Sequence, residues 1–81
     1  MTIDLAPLNQ KLRVRSFGPH EGKDLSDLES RLMHLGFFEG EIIRIMKKAP
    51  LFREPFLVEV RGRMVALSKT EAMLVKVEAL S

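Results

Sequence analysis

Apolar and polar positions along this chain change period several times, and each change marks an element. Leu25, Leu28, Leu32 and Leu35 are spaced three, four and three apart, which puts four leucines on one face of a helix. Ser26 with Glu29 three residues on reads as a reciprocal cap at the start of that helix, with Asp24 as a competing cap half a turn earlier. Gly36 stands where a left-handed residue is wanted after the last turn. Phe37 then falls where it can pack back on Leu32. Glu39-Gly40 turns the chain into the next strand.

Elsewhere the period is two. Lys11 to Phe17 sets Leu12 and Val14 on one face against Lys11, Arg13 and Arg15 on the other. Glu41 to Lys48 carries Ile43 and Ile45 on one face and Ile42, Arg44, Met46 and Lys48 on the other. Phe56, Val58 and Val60 alternate inward, Arg61-Gly62-Arg63 signals a tight hairpin, and Met64 to Leu67 returns with Val65 and Leu67 on one face. Ser68 and Glu71 repeat the serine-x-x-glutamate cap over about one turn of helix, Lys69 to Leu74, before a last alternation from Val75 to Glu78. Met1 to Gln10 is a lead-in pinned by Ile3, Leu5 and Leu8 and interrupted by Pro7. Five short strands in so small a chain leave open edges unless they curl on themselves. The expected fold is mainly β with one inserted α-helix (α+β), a small SH3-like five-stranded barrel forming a single domain over residues 1–81.

Composition narrows the function classes. Of 81 residues, 46% are apolar and 30% charged, the balance of a globular domain, and the formal charge of +2 is too small to argue for nucleic acid by itself. No apolar run approaches a membrane span, and no basic-then-apolar signal segment opens the chain. Without cysteine there are no disulfide staples or thiolate metal sites, which suits a reducing, cytoplasmic setting. Nucleophile–base arrangements, paired catalytic carboxylates and a glycine-rich phosphate loop are missing, so an enzyme is not expected and no cofactor is implied. His20 with Glu21, and His34 with Glu29 or Glu39, are the available metal-ligand material. They lack the spacing of a dedicated site, so no intrinsic metal site is expected, and His20 is the place where adventitious divalent binding would be no surprise.

The run Arg31-Leu32-Met33-His34-Leu35-Gly36-Phe37-Phe38-Glu39-Gly40-Glu41 resembles the hallmark of FeoA-like domains: arginine, leucine, two residues, leucine-glycine, an apolar residue, one residue, glycine. Lys48-Ala49-Pro50-Leu51, Val60 to Leu67 and Thr70-Glu71-Ala72 resemble later segments of the same family, so the likeness spans about Leu8 to Glu78. It implies an SH3-like barrel that serves as a small cytoplasmic accessory of the FeoB ferrous iron transporter, a binding module rather than an enzyme. Related domains end the DtxR-type metal-dependent repressors, whose DNA-binding part has no room here. Three departures stand out. The second turn, Pro50 to Pro55, is one residue longer than the family's and lacks its glycine; Ser68-Lys69 replaces arginines; and Asn9-Gln10 replaces the glycine turn before the first strand.

The expected docking residues are Leu51, Phe52 and Arg53 on the proline-bracketed turn, with Met33 and Phe38 as secondary candidates. A phenylalanine between two prolines is either presented to a partner as an aromatic anchor or folded over the barrel mouth as a plug. Phe37 and Phe38 are adjacent and so point apart, one into the core. Met33 lies off the leucine stripe. The basic row of the first strand reads as a solvated face. The alternative, a nucleic-acid-binding barrel, would want interleaved aromatics, and the chain has no tyrosine or tryptophan. Self-association through the turn is a further possibility, and any membrane association would come only through the partner.

Overall fold

The computed structural model describes residues 1–18, 23–48 and 55–80. Strands β1 (Lys11–Phe17), β2 (Ile42–Lys47), β3 (Phe56–Val60), β4 (Arg63–Leu67) and β5 (Val75–Ala79) form one antiparallel sheet in the order β4-β3-β2-β1-β5. Helix α1 (Lys23–His34) is inserted between β1 and β2, and the short α2 (Lys69–Leu74) links β4 to β5. Register shifts between Val14 and Ser16 and between Ile45 and Lys47 are the local irregularities that let so short a sheet curl.

The alternation selects the core. Leu12 and Val14, Ile43 and Ile45, Phe56, Val58 and Val60, Val65 and Leu67, and Val75 and Val77 are all buried, while most of the residues between them reach solvent. Helix α1 adds the fully buried Leu32, with Leu28 and Leu35 half-buried against the cluster. Each such aliphatic side chain contributes roughly 1.5–3 kcal/mol when fully buried, so the inward row of each strand holds the sheet to the helix.

Both ends of α1 instruct. Its exit is a Schellman turn: the Phe37 amide donates to the Leu32 carbonyl at 3.0 Å, the Gly36 amide donates to the Met33 carbonyl at 3.0 Å, and Gly36 has φ +107°. Phe37 is thereby fully buried beside Leu32 in the core cluster. Its entry differs from the sequence expectation. The helix begins at Lys23, so Ser26 is an interior residue and not the cap. A serine three residues before a glutamate looks the same inside a helix as at its start, and the pattern alone does not tell the two apart. At α2 the same pattern is a true capping box: the Glu71 amide donates to Ser68 Oγ at 3.1 Å and the Ser68 amide donates to Glu71 Oε1 at 2.9 Å.

The lead-in also differs. Ile3 is fully buried as expected, but Leu5 is 75% exposed and Leu8 is exposed, and Ala6 takes the second inward place. Residues Ile3–Leu5 form a 3-10 turn, whose three-residue period puts positions i and i+3 on one side. Ile3 and Ala6 therefore share the inner side. The segment is fastened by Lys48, whose Nζ donates to the Asp4 and Ala6 carbonyls, and by the Val77 amide donating to the Met1 carbonyl at 2.8 Å. Asn9, standing where the family resemblance leads one to expect glycine, adopts φ +59°, a left-handed conformation that asparagine tolerates better than most residues.

Candidate docking surface

Met33 follows the buried Leu32 by one residue, a step of 100° around the helix, which carries it off the core face; it is 44% exposed. Phe38 is set by backbone on both sides. Its amide donates to the Gly36 carbonyl at 3.0 Å, and its carbonyl accepts from the Glu41 amide at 2.9 Å. The turn so closed has Gly40 at φ +87°, with the Gly40 amide donating to the Val14 carbonyl at 2.7 Å. With Phe37 committed to the core, Phe38 is turned outward and is 43% exposed.

Met33 and Phe38 together form a ridge between two depressions. One, of about 590 Å³, is lined by the two of them with Ser30, His34, Gly36, Arg61 and Arg63. The other, of about 330 Å³, adds Arg15, Ser16, Phe17, Glu29 and Glu39. A third hollow of about 290 Å³ continues the first through His34 and Arg63 and runs between the end of α1, at Arg31 and Leu35, and strand β4, at Met64, Val65 and Ala66. The surface is apolar at its ridge and basic at its β3–β4 end.

The basic end is held in place by local chemistry. Arg61 and Gly62 form a two-residue hairpin loop with φ +52° and +77°, the pair of left-handed residues that a type I′ turn requires. A non-glycine residue is unfavourable there, and Arg61 is steadied by Glu41, whose Oε2 accepts from Nε at 3.1 Å and from Nη2 at 2.9 Å. That carboxylate, by hydrogen bonding and by its charge, raises the guanidinium pKa above its ordinary value, and the two bonds hold the cation in place. Arg63 has no ion pair among the described residues, which leaves its charge available. His34 Nδ1 lies 2.7 Å from the Ser30 carbonyl, to which it donates, as expected of a histidine in the last turn of a helix.

Arg31, the motif arginine, has a positioning role. Its Nε lies 3.3 Å from Oε2 of Glu71, a side chain only 4% exposed, in a charge contact without the alignment of a hydrogen bond. Glu71 thus caps α2 with one oxygen and meets α1 with the other. On β1, Arg13 and Arg15 approach one carboxylate, Glu78 Oε1, at 3.9 and 3.5 Å, which partly neutralises the basic strand face.

Of the residues singled out from sequence, Met33 and Phe38 are brought together at the ridge. Leu51, Phe52 and Arg53 lie outside the described residues, as does His20. No group of three or more His, Asp or Glu side chains placed to hold a metal occurs among the described residues. The sequence reading missed that His34, Arg61 and Arg63 share one groove with the ridge. The Arg61-Gly62 turn was legible, but its juxtaposition with the end of α1 was not.

The FeoA domain family model matches residues 1–79. Among solved structures, FeoA of Stenotrophomonas maltophilia in complex with zinc is similar at 36% identity and a TM-score of 0.80, over 96% of this chain and 89% of that one. Iron(II) transport protein A of Clostridium thermocellum is similar at 29% identity and a TM-score of 0.81, over 99% of this chain and 46% of that one. The manganese-activated repressor ScaR shares the fold at 22% identity and a TM-score of 0.81, over 99% of this chain and 35% of that one. Comparison with curated proteins gives no match. Fold, motif order and identity agree: this chain belongs to the FeoA domain family of small SH3-like proteins associated with ferrous iron transport.

Proposed function

We propose that the chain is a cytoplasmic, non-enzymatic accessory of ferrous iron uptake that docks on a FeoB-type transporter and biases its transport or nucleotide cycle. The observation that carries the reading is the Met33–Phe38 ridge: two large apolar side chains, each more than two-fifths exposed, held side by side by a rigid helix exit. A preformed aromatic anchor next to a fixed cation is the composition in which a few residues dominate association. A role as a ferrous iron transport activating factor has been suggested for the S. maltophilia relative. Leu51, Phe52 and Arg53 are proposed as a second contact element. Among the described residues no helix is long and apolar enough to cross a membrane, so in this reading the chain reaches the membrane through its partner.

Docking regulates only by differential affinity. A tenfold shift between two transporter states requires the chain to bind one of them more tightly by ~1.4 kcal/mol. The test is binding of the full chain to purified full-length FeoB in each nucleotide state, with duplex DNA as control. Saturable binding to FeoB is expected, weakened roughly tenfold or more by Phe38→Asp with little change in melting temperature. Phe52→Asp is expected to weaken it separately. Failure to bind FeoB in any nucleotide state, with salt-sensitive binding to DNA instead, would overturn the reading in favour of a nucleic-acid-binding barrel.

A further inference from the structure

The sheet has two edges, and the chain treats them differently. At β5 the edge is covered by the chain's own start, through the Thr2–Lys76 bridge and the Val77 amide donating to the Met1 carbonyl. At β4 no described segment pairs with the outer side. The hairpin register fixes which groups that side presents. Val60 and Arg63 flank a two-residue loop and so form a hydrogen-bonded pair, as do Val58 with Val65 and Phe56 with Leu67. Met64 and Ala66 are the intervening, non-hydrogen-bonded positions. Their amides and carbonyls point away from β3, and no hydrogen-bond partner for either exists among the described residues.

Beside this edge runs the hollow of about 290 Å³ between β4 and the last turn of α1. Its ionisable lining is Arg31, His34 and Arg63; Arg31 is already matched by Glu71 Oε2 at 3.3 Å, so Arg63 is the lining cation without an ion pair among the described residues. We infer that the β4 edge takes up an extended, carboxylate-bearing segment of the transporter as an added strand, with Met64 and Ala66 supplying main-chain hydrogen bonds and Arg63 receiving its acidic side chains. The inference rests on the docking reading above and specifies its mode. Strand addition matches what is open here, since main-chain bonds supply affinity and the flanking side chains supply selectivity. Charge decides the occupant. A second copy of this chain pairing β4 to β4 would bring two basic linings together, whereas an acidic strand meets complementary charge. The hollow opens through His34 and Arg63 into the Met33–Phe38 groove, so one partner segment can use both.

The measurement is residue-level amide hydrogen exchange of the full chain, free and bound to full-length FeoB. In the free chain the Met64 and Ala66 amides should exchange fast and those of Val65 and Leu67 slowly. In the complex Met64 and Ala66 should slow by roughly tenfold or more. Ala66→Pro removes one outward donor without touching the β3 ladder, as an edge strand allows, and should weaken binding roughly tenfold. Arg63→Glu should weaken it further and flatten its salt dependence. Binding to FeoB that leaves Met64 and Ala66 unprotected overturns strand addition alone and spares the docking reading. No binding to FeoB overturns both. Protection that grows with chain concentration in the absence of FeoB overturns the inference in favour of self-pairing.

Discussion

Gly36 is the residue on which the proposed docking ridge is built, and replacing it with alanine is a sharp test of the geometry. Two effects act in the folded state. Gly36 has φ +107°, where an L side chain is strained by about 1–2 kcal/mol. An added Cβ would also lie 3.1 Å from Val60 Cγ1, and Val60 is fully buried in the sheet. Overpacking of that kind adds about 1 kcal/mol. Alanine returns about 0.4–1 kcal/mol by stiffening the unfolded chain. The expected net loss is about 2 kcal/mol. In a domain of this size 1 kcal/mol corresponds to roughly 4–8 °C, so thermal melting followed by circular dichroism should show a fall of about 10 °C. Gly62→Ala is the internal reference. It has φ +77° but nothing within 4 Å of the added Cβ, so only the backbone term applies, about half the loss. Equal melting temperatures for the two variants would refute the tight approach to Val60. No fall in either would refute the left-handed assignment at both positions. Because the Phe38 amide bonds to the Gly36 carbonyl, Gly36→Ala should also weaken FeoB binding at temperatures where it is still folded.

Two further predictions follow from the caps and turns. Ser68→Ala removes the acceptor of the Glu71 amide and should lower stability by about 1 kcal/mol, while Glu71→Ala, which keeps that backbone donor but takes the acceptor from the Ser68 amide and removes the contact with Arg31, should lower it by more; urea midpoints measured side by side decide the order. Asn9→Gly should leave the melting temperature within a few degrees of the parent, and Asn9→Val should cost roughly 1–2 kcal/mol of stability and lower the melting temperature accordingly, because only the second substitution puts a β-branched residue at φ +59°.

Much of the fold was determined locally and is legible in the sequence. Strands read out because period two is a property of the pleat. Leu12, Val14, Ile43, Ile45, Phe56, Val58 and Val60 therefore declare their inward face before any partner strand is known. Gly36, Gly62 and the Ser68–Glu71 box read out because left-handed turns and helix caps act within a few residues. The same locality explains the failures. Ser26–Glu29 has the form of a cap, but whether helix precedes it is decided beyond that window, and α1 begins at Lys23. Leu5 and Leu8 look able to pin the lead-in, yet a 3-10 turn fastened from a distance by Lys48 turns Ile3 and Ala6 inward instead.

The candidate surface lay beyond sequence reasoning in a different sense. Met33 and Phe38 could be named one by one, since each is the apolar residue left over when its neighbours take the core. That they border one groove with His34, Arg61 and Arg63 depends on bringing the end of α1 against the β3–β4 hairpin. The Arg61–Glu41 pair joins residues twenty apart in the chain, and Arg31–Glu71 forty apart. The two sheet edges are likewise products of strand order: β5 is covered by a segment from the opposite terminus, and β4 is left open. Sequence period fixes which side of an element is apolar. Which elements then meet, and which backbone groups stay unpaired, is set by the long-range packing of the core, and that is where the proposed interaction surface is made.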